Sequence, residues 1–182
     1  MLRLVAALVA LLGSPAAMSI DDEPSDLERR IIDQAARCPN AKIVDPWLVW
    51  QLLEVEERAG LPVELRGLVA AAACTESGYN ATARGDCVGR RCRAVGVLQL
   101  WPWWARRYDV DREQPIPSAE AWLAHVVRQL PKAAKACPRA KGLRLWRVAQ
   151  VRAVRAAGKK RCGERSLHWR RLARWSRAMG TL

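Results

Sequence analysis

Apolar residues return along this chain at intervals of three and four, and residues that start or stop helices punctuate the pattern. Ser25 and Glu28 have the spacing of a capping box, ahead of a stripe formed by Leu27, Ile31, Ile32 and Ala35. Asp45-Pro46 supplies a cap and a first-turn proline for "WLVWQLLEVEERA", which Gly60 ends. Pro62 opens a third helix, "PVELRGLVAAAACTES", closed by Gly78. Ser118 is the expected cap of "AEAWLAHVVRQLPKAAKA", with Pro131 as a kink or break. Two more helical patterns follow, "RLWRVAQVRAVRAA" up to Gly158 and "ERSLHWRRLARWSRAM" up to Gly180. Strand-like alternation is nearly absent, so the pattern predicts an all-α (mainly α) chain. Its 182 residues suffice for a single domain with its own core.

The first residues have a different logic. Arg3 gives a positive start, Leu4 to Leu12 an apolar run, and Ser14-Pro15-Ala16 a small-residue cleavage site, the three parts of a secretory signal. The run is shorter than the roughly 20 residues that a membrane-spanning helix needs. The expected organisation is a signal peptide over residues 1–19 and one domain over 20–182, secreted or periplasmic. Six cysteines, an even number, suit an oxidising compartment: Cys38, Cys74, Cys87, Cys92, Cys137 and Cys162. No Cys-x-x-Cys occurs and His125 and His168 are far apart, so disulfides are favoured over a zinc site and no metal or other cofactor is expected. Cys87 and Cys92 would close the small loop "CVGRRC", Cys137 and Cys162 flank a predicted helix, and Cys38 and Cys74 remain. Sequence alone leaves the connectivity open.

The charge of +13 is unevenly placed. Residues 20–60 carry ten acids and five bases, whereas residues 128–182 carry 17 bases and one acid, Glu164. Such a block could hold an anionic cell-wall or membrane surface. Composition offers a second explanation, since Arg outnumbers Lys 25 to 6 and Phe is absent. An exported, disulfide-bonded chain argues against a nucleic-acid partner. Of the nine tryptophans, Trp47, Trp50, Trp169 and Trp175 have helix-packing spacing. Trp101, Trp103 and Trp104 lie beside the cysteine loop, where exposed rings could stack on sugar faces.

Glu76 is the candidate for chemistry. Steps of three and four back from it reach Ala73 or Ala72, then Val69 and Leu65, which predicts an inward-facing carboxylate in the last turn of a helix. The negative end of the helix dipole and partial desolvation both favour the protonated acid. A general acid near neutral pH needs that shift. After Ser77-Gly78 the segment "YNATARGDC" leads away, and "AVGVLQLWP" brings the chain back with Gln99 between two leucines. Gln99 offers a donor and an acceptor to an acetamido sugar, or alternatively a brace for the loop.

Glu76-Ser77-Gly78-Tyr79-Asn80, an Ala-containing loop, and Gly96-Val97-Leu98-Gln99-Leu100-Trp101-Pro102 together resemble the lysozyme-like lytic transglycosylases that cleave peptidoglycan. The resemblance runs over roughly residues 60–160 in order of elements and is specific over residues 61–104. It implies a lysozyme-like domain with a short loop or hairpin beside the cleft, acting as a monomer on peptidoglycan glycan strands. Glu76 would be the catalytic acid and base, Ser77 would orient it or the substrate, and Tyr79, Asn80, Gln99 and Trp101 would contact substrate. The implied products end in 1,6-anhydromuramoyl groups, formed when the sugar's own C6 hydroxyl replaces water. Val154-Arg155-Ala156-Ala157-Gly158 stands where the family carries Ala-Tyr-Asn-Ala-Gly, with Arg155 in place of the tyrosine. Asp86, in Gly-Asp-Cys, is expected to be a turn residue; as a second carboxylate it would instead suit a water-using lysozyme. A non-enzymatic basic module that binds an anionic polymer is the reading from another class.

Overall fold

The computed structural model describes residues 23–142, 144–146, 148–149 and 174–175. The signal segment, Cys162, Arg155, His168 and Trp169 lie outside the described residues, as does most of the basic C-terminal region. The described chain is mainly α-helical with one two-stranded sheet. Its helices are α1 (Asp26–Ala36), α2 (Pro46–Arg58), α3 (Leu68–Ser77), α4 (Pro102–Tyr108) and α5 (Pro115–Ala136), with strands β1 (Arg84–Val88) and β2 (Arg91–Val95) between α3 and α4. No described helix is long and apolar enough to cross a membrane.

Local sequence accounts for the first two helices. Ser25 Oγ accepts from the Glu28 amide at 3.3 Å, and the Glu28 carboxylate accepts from the Ser25 amide at 2.8 Å. At α2, the Asp45 side chain accepts from the Trp47 amide at 2.9 Å, and Pro46 occupies the first turn, where its missing N–H costs nothing. Trp47 is 51% exposed, however, and its ring meets that of Trp50 at a tilt, 4.7 Å between centroids, rather than entering the core.

The expected third helix is divided. Val63–Leu65 forms a single 3₁₀ turn, and α3 begins only after Gly67, whose φ of +84° ends one helical path before the next starts. No side chain of the local sequence caps α3. Glu56 of α2 does so from a distance: its carboxylate is fully buried and accepts from the amides of Gly67 (2.6 Å) and Val69. Two otherwise orphaned helix amides are thereby satisfied. Burial pushes the Glu56 carboxyl up to about 8, against the opposing pull of these amides and of Arg66. Arg66 itself bridges Glu28 and Glu57 at 2.9 and 3.2 Å, tying α1 and α2 to the α3 entrance.

Helix α3 is the axis of the core. Every residue from Leu68 to Cys74 is buried, so the helix has no solvent face in its first two turns, and the inward stripe expected for Glu76 does not distinguish one side. Four consecutive alanines let the neighbouring helices come close. Its C-terminal end is held by several attachments. The disulfide Cys38–Cys74 joins it to the α1–α2 connection. Asn40 Nδ2 donates to the carbonyls of Cys74 (3.2 Å) and Thr75 (3.3 Å). Gly78 closes the helix at φ +61°, and a Cβ there would lie 2.2 Å from the Asn40 carbonyl oxygen.

The cysteine loop is an antiparallel hairpin. Cys87 and Cys92 face each other across it and are disulfide-bonded, with Gly89 and Arg90 at the tip. Its residues show little alternation because the outer part of the hairpin is exposed on both faces. Cys137 is also disulfide-bonded; its expected partner, Cys162, lies outside the described residues. Helix α5 starts at Pro115, upstream of the expected cap. Ser118 is instead buried inside it, donating towards the Asp111 and Arg112 carbonyls at 3.3 and 3.2 Å. Pro131 does not break the helix, which continues to Ala136.

Candidate active site

A pocket of about 370 Å³ opens where the end of α3, the hairpin, the 95–101 turn, α4 and α5 meet. Glu76, the exposed residue of the last α3 turn, forms part of its lining. Its side chain reaches solvent through the mouth, yet protein on the surrounding sides displaces much of its water. That desolvation, assisted by the negative charge of Asp86, raises the Glu76 carboxyl to about 7. An acid poised there is half protonated near neutral pH, which suits proton donation to a leaving oxygen followed by proton recovery.

Opposite Glu76 the chain makes a tight reversal. Val95 and Leu100 exchange backbone hydrogen bonds (3.1 and 2.9 Å), while Gly96 and Gln99 occupy the left-handed region at φ +82° and +49°. A Cβ on Gly96 would stand 1.9 Å from the Arg112 carbonyl oxygen. The Arg112 guanidinium donates to the Arg93 and Leu100 carbonyls at 2.8 and 2.9 Å, pinning strand and turn together. Ser77 Oγ, on α3, donates to the Val97 carbonyl at 2.9 Å. Ser77 is thus the link between the acid's helix and the turn, and it does not line the pocket.

Gln99 combines both roles considered for it. It lines the pocket, and its Nε2 donates to the carbonyls of Gly96 (2.9 Å) and Ala83 (3.3 Å). Its Oε1 lies where a Cβ on Gly85 would project, at 2.3 Å, so the bare backbone of β1 leaves it room. Trp101 also lines the pocket and is 38% exposed. Trp103, Trp104 and Trp122 extend an aromatic wall, with Trp103 and Trp104 stacked at 4.4 Å. His125 meets both rings edge-on, and its Nδ1 is 2.6 Å from the Tyr108 hydroxyl.

Two expected substrate contacts are not brought to the pocket. Tyr79 is buried in the core, with its ring turned inward by a left-handed residue conformation (φ +65°) directly after Gly78. Burial also pushes its phenol well above the ordinary range. Asn80 is exposed and occupied locally, its Oδ1 accepting from the Thr82 amide and hydroxyl at 2.9 Å each. Adjacency to Glu76 in the motif placed both residues near it in sequence, but two successive left-handed residues redirect the chain.

Asp86 is the main correction in the other direction. It belongs to β1 rather than to a turn and lines the same pocket as Glu76. Its φ of +50° is unusual for a non-glycine strand residue, and its Oδ2 accepts from the Trp101 indole N–H at 3.2 Å. Trp122 went unnoticed because its position on α5 fits a helix core pattern equally well. Compared with known proteins, the chain matches no family model, no curated protein and no solved structure.

Proposed function

We propose that this chain cleaves the glycan strand of peptidoglycan between N-acetylmuramoyl and N-acetylglucosaminyl units, with Glu76 as the acid and then the base. The observation that carries the reading is the Glu76 carboxyl, raised to about 7, at a helix end in a pocket walled by tryptophans. Aromatic rings suit the apolar faces of sugars, and Gln99 supplies an amide at the same wall. Protonated Glu76 gives its proton to the glycosidic oxygen as the bond to C1 breaks. The ionised carboxylate then takes the proton of the C6 hydroxyl, whose oxygen closes onto C1 to leave a 1,6-anhydro end. The domain is thus read as lysozyme-like and the chain as an exported enzyme, a setting that its disulfides suit.

A second reading has a specific observation behind it. Asp86 shares the pocket, so a water-using glycosidase with two carboxylates is the competing chemistry. Digestion of purified sacculi, followed by mass analysis of the released muropeptides, separates the two. Anhydro ends, lighter by one water than hydrolytic products, are expected; mainly reducing ends would establish the hydrolase. No release at all, with salt-sensitive retention on an anionic polymer, would replace both by a binding module.

A further inference from the structure

We propose that Asp86 is a positioning residue of this pocket, which holds Trp101 as a sugar wall and acts on Glu76 from across the cleft. The inference rests on the reading of Glu76 as the acid. Three observations support it independently of any fold analogy. Asp86 and Glu76 line one pocket from different elements, β1 and α3. The left-handed backbone at Asp86 (φ +50°) is a local departure from strand geometry, at the position whose carboxylate meets the pocket. Such departures persist where surrounding structure over-determines them. The Trp101 indole is held at its edge, where its N–H donates to Asp86 Oδ2 at 3.2 Å, and on one face by the Arg93 guanidinium 5.6 Å from the ring centroid.

Among the described residues that line the pocket, Asp86 is the charge beside Glu76. From the 95–101 turn the pocket presents Leu98, Gln99, Leu100 and Trp101; from α4 and α5 it presents Trp103, Trp104 and Trp122. None of these carries a charge. Arg93 contacts the outer wall through Trp101, and the titratable His125 packs against Trp103 and Trp104. The carboxylate of Asp86 disfavours ionisation of Glu76, in the same direction as desolvation. Both side chains reach solvent, so this coupling is a short-range effect that salt weakens.

Asp86→Asn separates the charge from the hydrogen bond, because the amide oxygen can still accept from the indole. Asp86→Ala removes both. The test follows the Glu76 carboxyl by carbon-detected NMR titration, assigned with Glu76→Gln, alongside the pH profile of sacculus cleavage and chitotetraose binding by tryptophan fluorescence. Asp86→Asn should lower the Glu76 midpoint and move the alkaline limb of activity down by the same amount, about threefold in rate at pH 8. Added salt should shrink the wild-type difference. Its activity at its own optimum should stay within about tenfold of wild type, less than the loss of an acid or base. Chitotetraose affinity should fall in Asp86→Ala and persist in Asp86→Asn. An unmoved Glu76 midpoint, equal affinities in the two variants, or loss of activity at every pH in Asp86→Asn would overturn the proposal, the last by making Asp86 a reactant. Should the wild-type protein cleave nothing, the glycosidase reading fails, and the titration and binding comparison still decide the role of Asp86.

Discussion

Replacing Glu76 by Gln keeps the side chain's size and removes only its transferable proton. Glu76 accepts no burial obligation comparable to that of Glu56, since it reaches solvent at the pocket mouth. The stability change should therefore remain within about 0.5 kcal/mol, the usual range for accessible positions. Activity should fall by about 10²–10⁴-fold, the customary share of general acid–base help. The wild-type pH dependence carries an independent magnitude. With the carboxyl at about 7, roughly nine tenths is protonated at pH 6 and about one hundredth at pH 9, so the acid-dependent rate should drop about a hundredfold between them. An ordinary glutamate would be only a few per cent protonated already at pH 6. Muropeptide release from sacculi, measured at subsaturating substrate over that range, reads both effects. A Gln variant with more than a tenth of wild-type activity, or a wild-type rate flat from pH 6 to 9, would refute the role assigned to Glu76.

The other expectations concern the frame around the site. Joint replacement of Cys38 and Cys74 by Ser releases a link of sequence separation 36 and should lower stability by about 4 kcal/mol in denaturant titration, on the chain-entropy account; an unchanged midpoint would remove the disulfide's structural role. Glu56, raised to about 8 by burial, keeps its proton when folded at pH values where the unfolded chain has lost it. Stability should accordingly decline as pH rises from about 4.5 towards 8, and Glu56→Gln should flatten that part of the decline in thermal melts. Gly96→Ala should cost several kcal/mol and blunt activity, because the new Cβ meets a backbone oxygen at 1.9 Å and φ is +82°. A fully stable Gly96→Ala variant would mean that the turn can move.

Where structure is decided by neighbours in sequence, the sequence was readable. The Ser25–Glu28 box, the Asp45–Pro46 start and the Gly78 stop depend on residues within a turn of one another, and each stands as expected. Glu76 in a pocket with Gln99 and Trp101 was also legible, since the two segments flank one short excursion of chain. What escaped reading depends on distant partners. Glu56 caps a helix whose N-cap, Gly67, lies eleven residues after it, so no local signal marks the division there. Ser118 looked like a cap because its residue type favours caps, but the prolines at 115 and 117 allow the helix to start earlier. Asp86 resembled a turn residue because it follows a glycine, and only the hairpin brings it to the pocket that Glu76 lines. Tyr79 shows the reverse error: neighbourhood in sequence suggested a shared site, and a positive φ sent its ring to the core.

The hairpin and α3 differ sharply in how freely they can vary. Along α3 a larger side chain at any of the four alanines would have to displace packed neighbours, so the floor that carries the acid tolerates little change. The hairpin is closed upon itself by Cys87–Cys92, and its tip, Val88 to Arg91, is exposed. Residues there can be exchanged, or the tip lengthened, without disturbing the packing that fixes Glu76. A library randomised at positions 88–91 should thus leave the placement of Glu76 unchanged. The described chain divides into a packed floor that tolerates little change and an exposed rim that tolerates much.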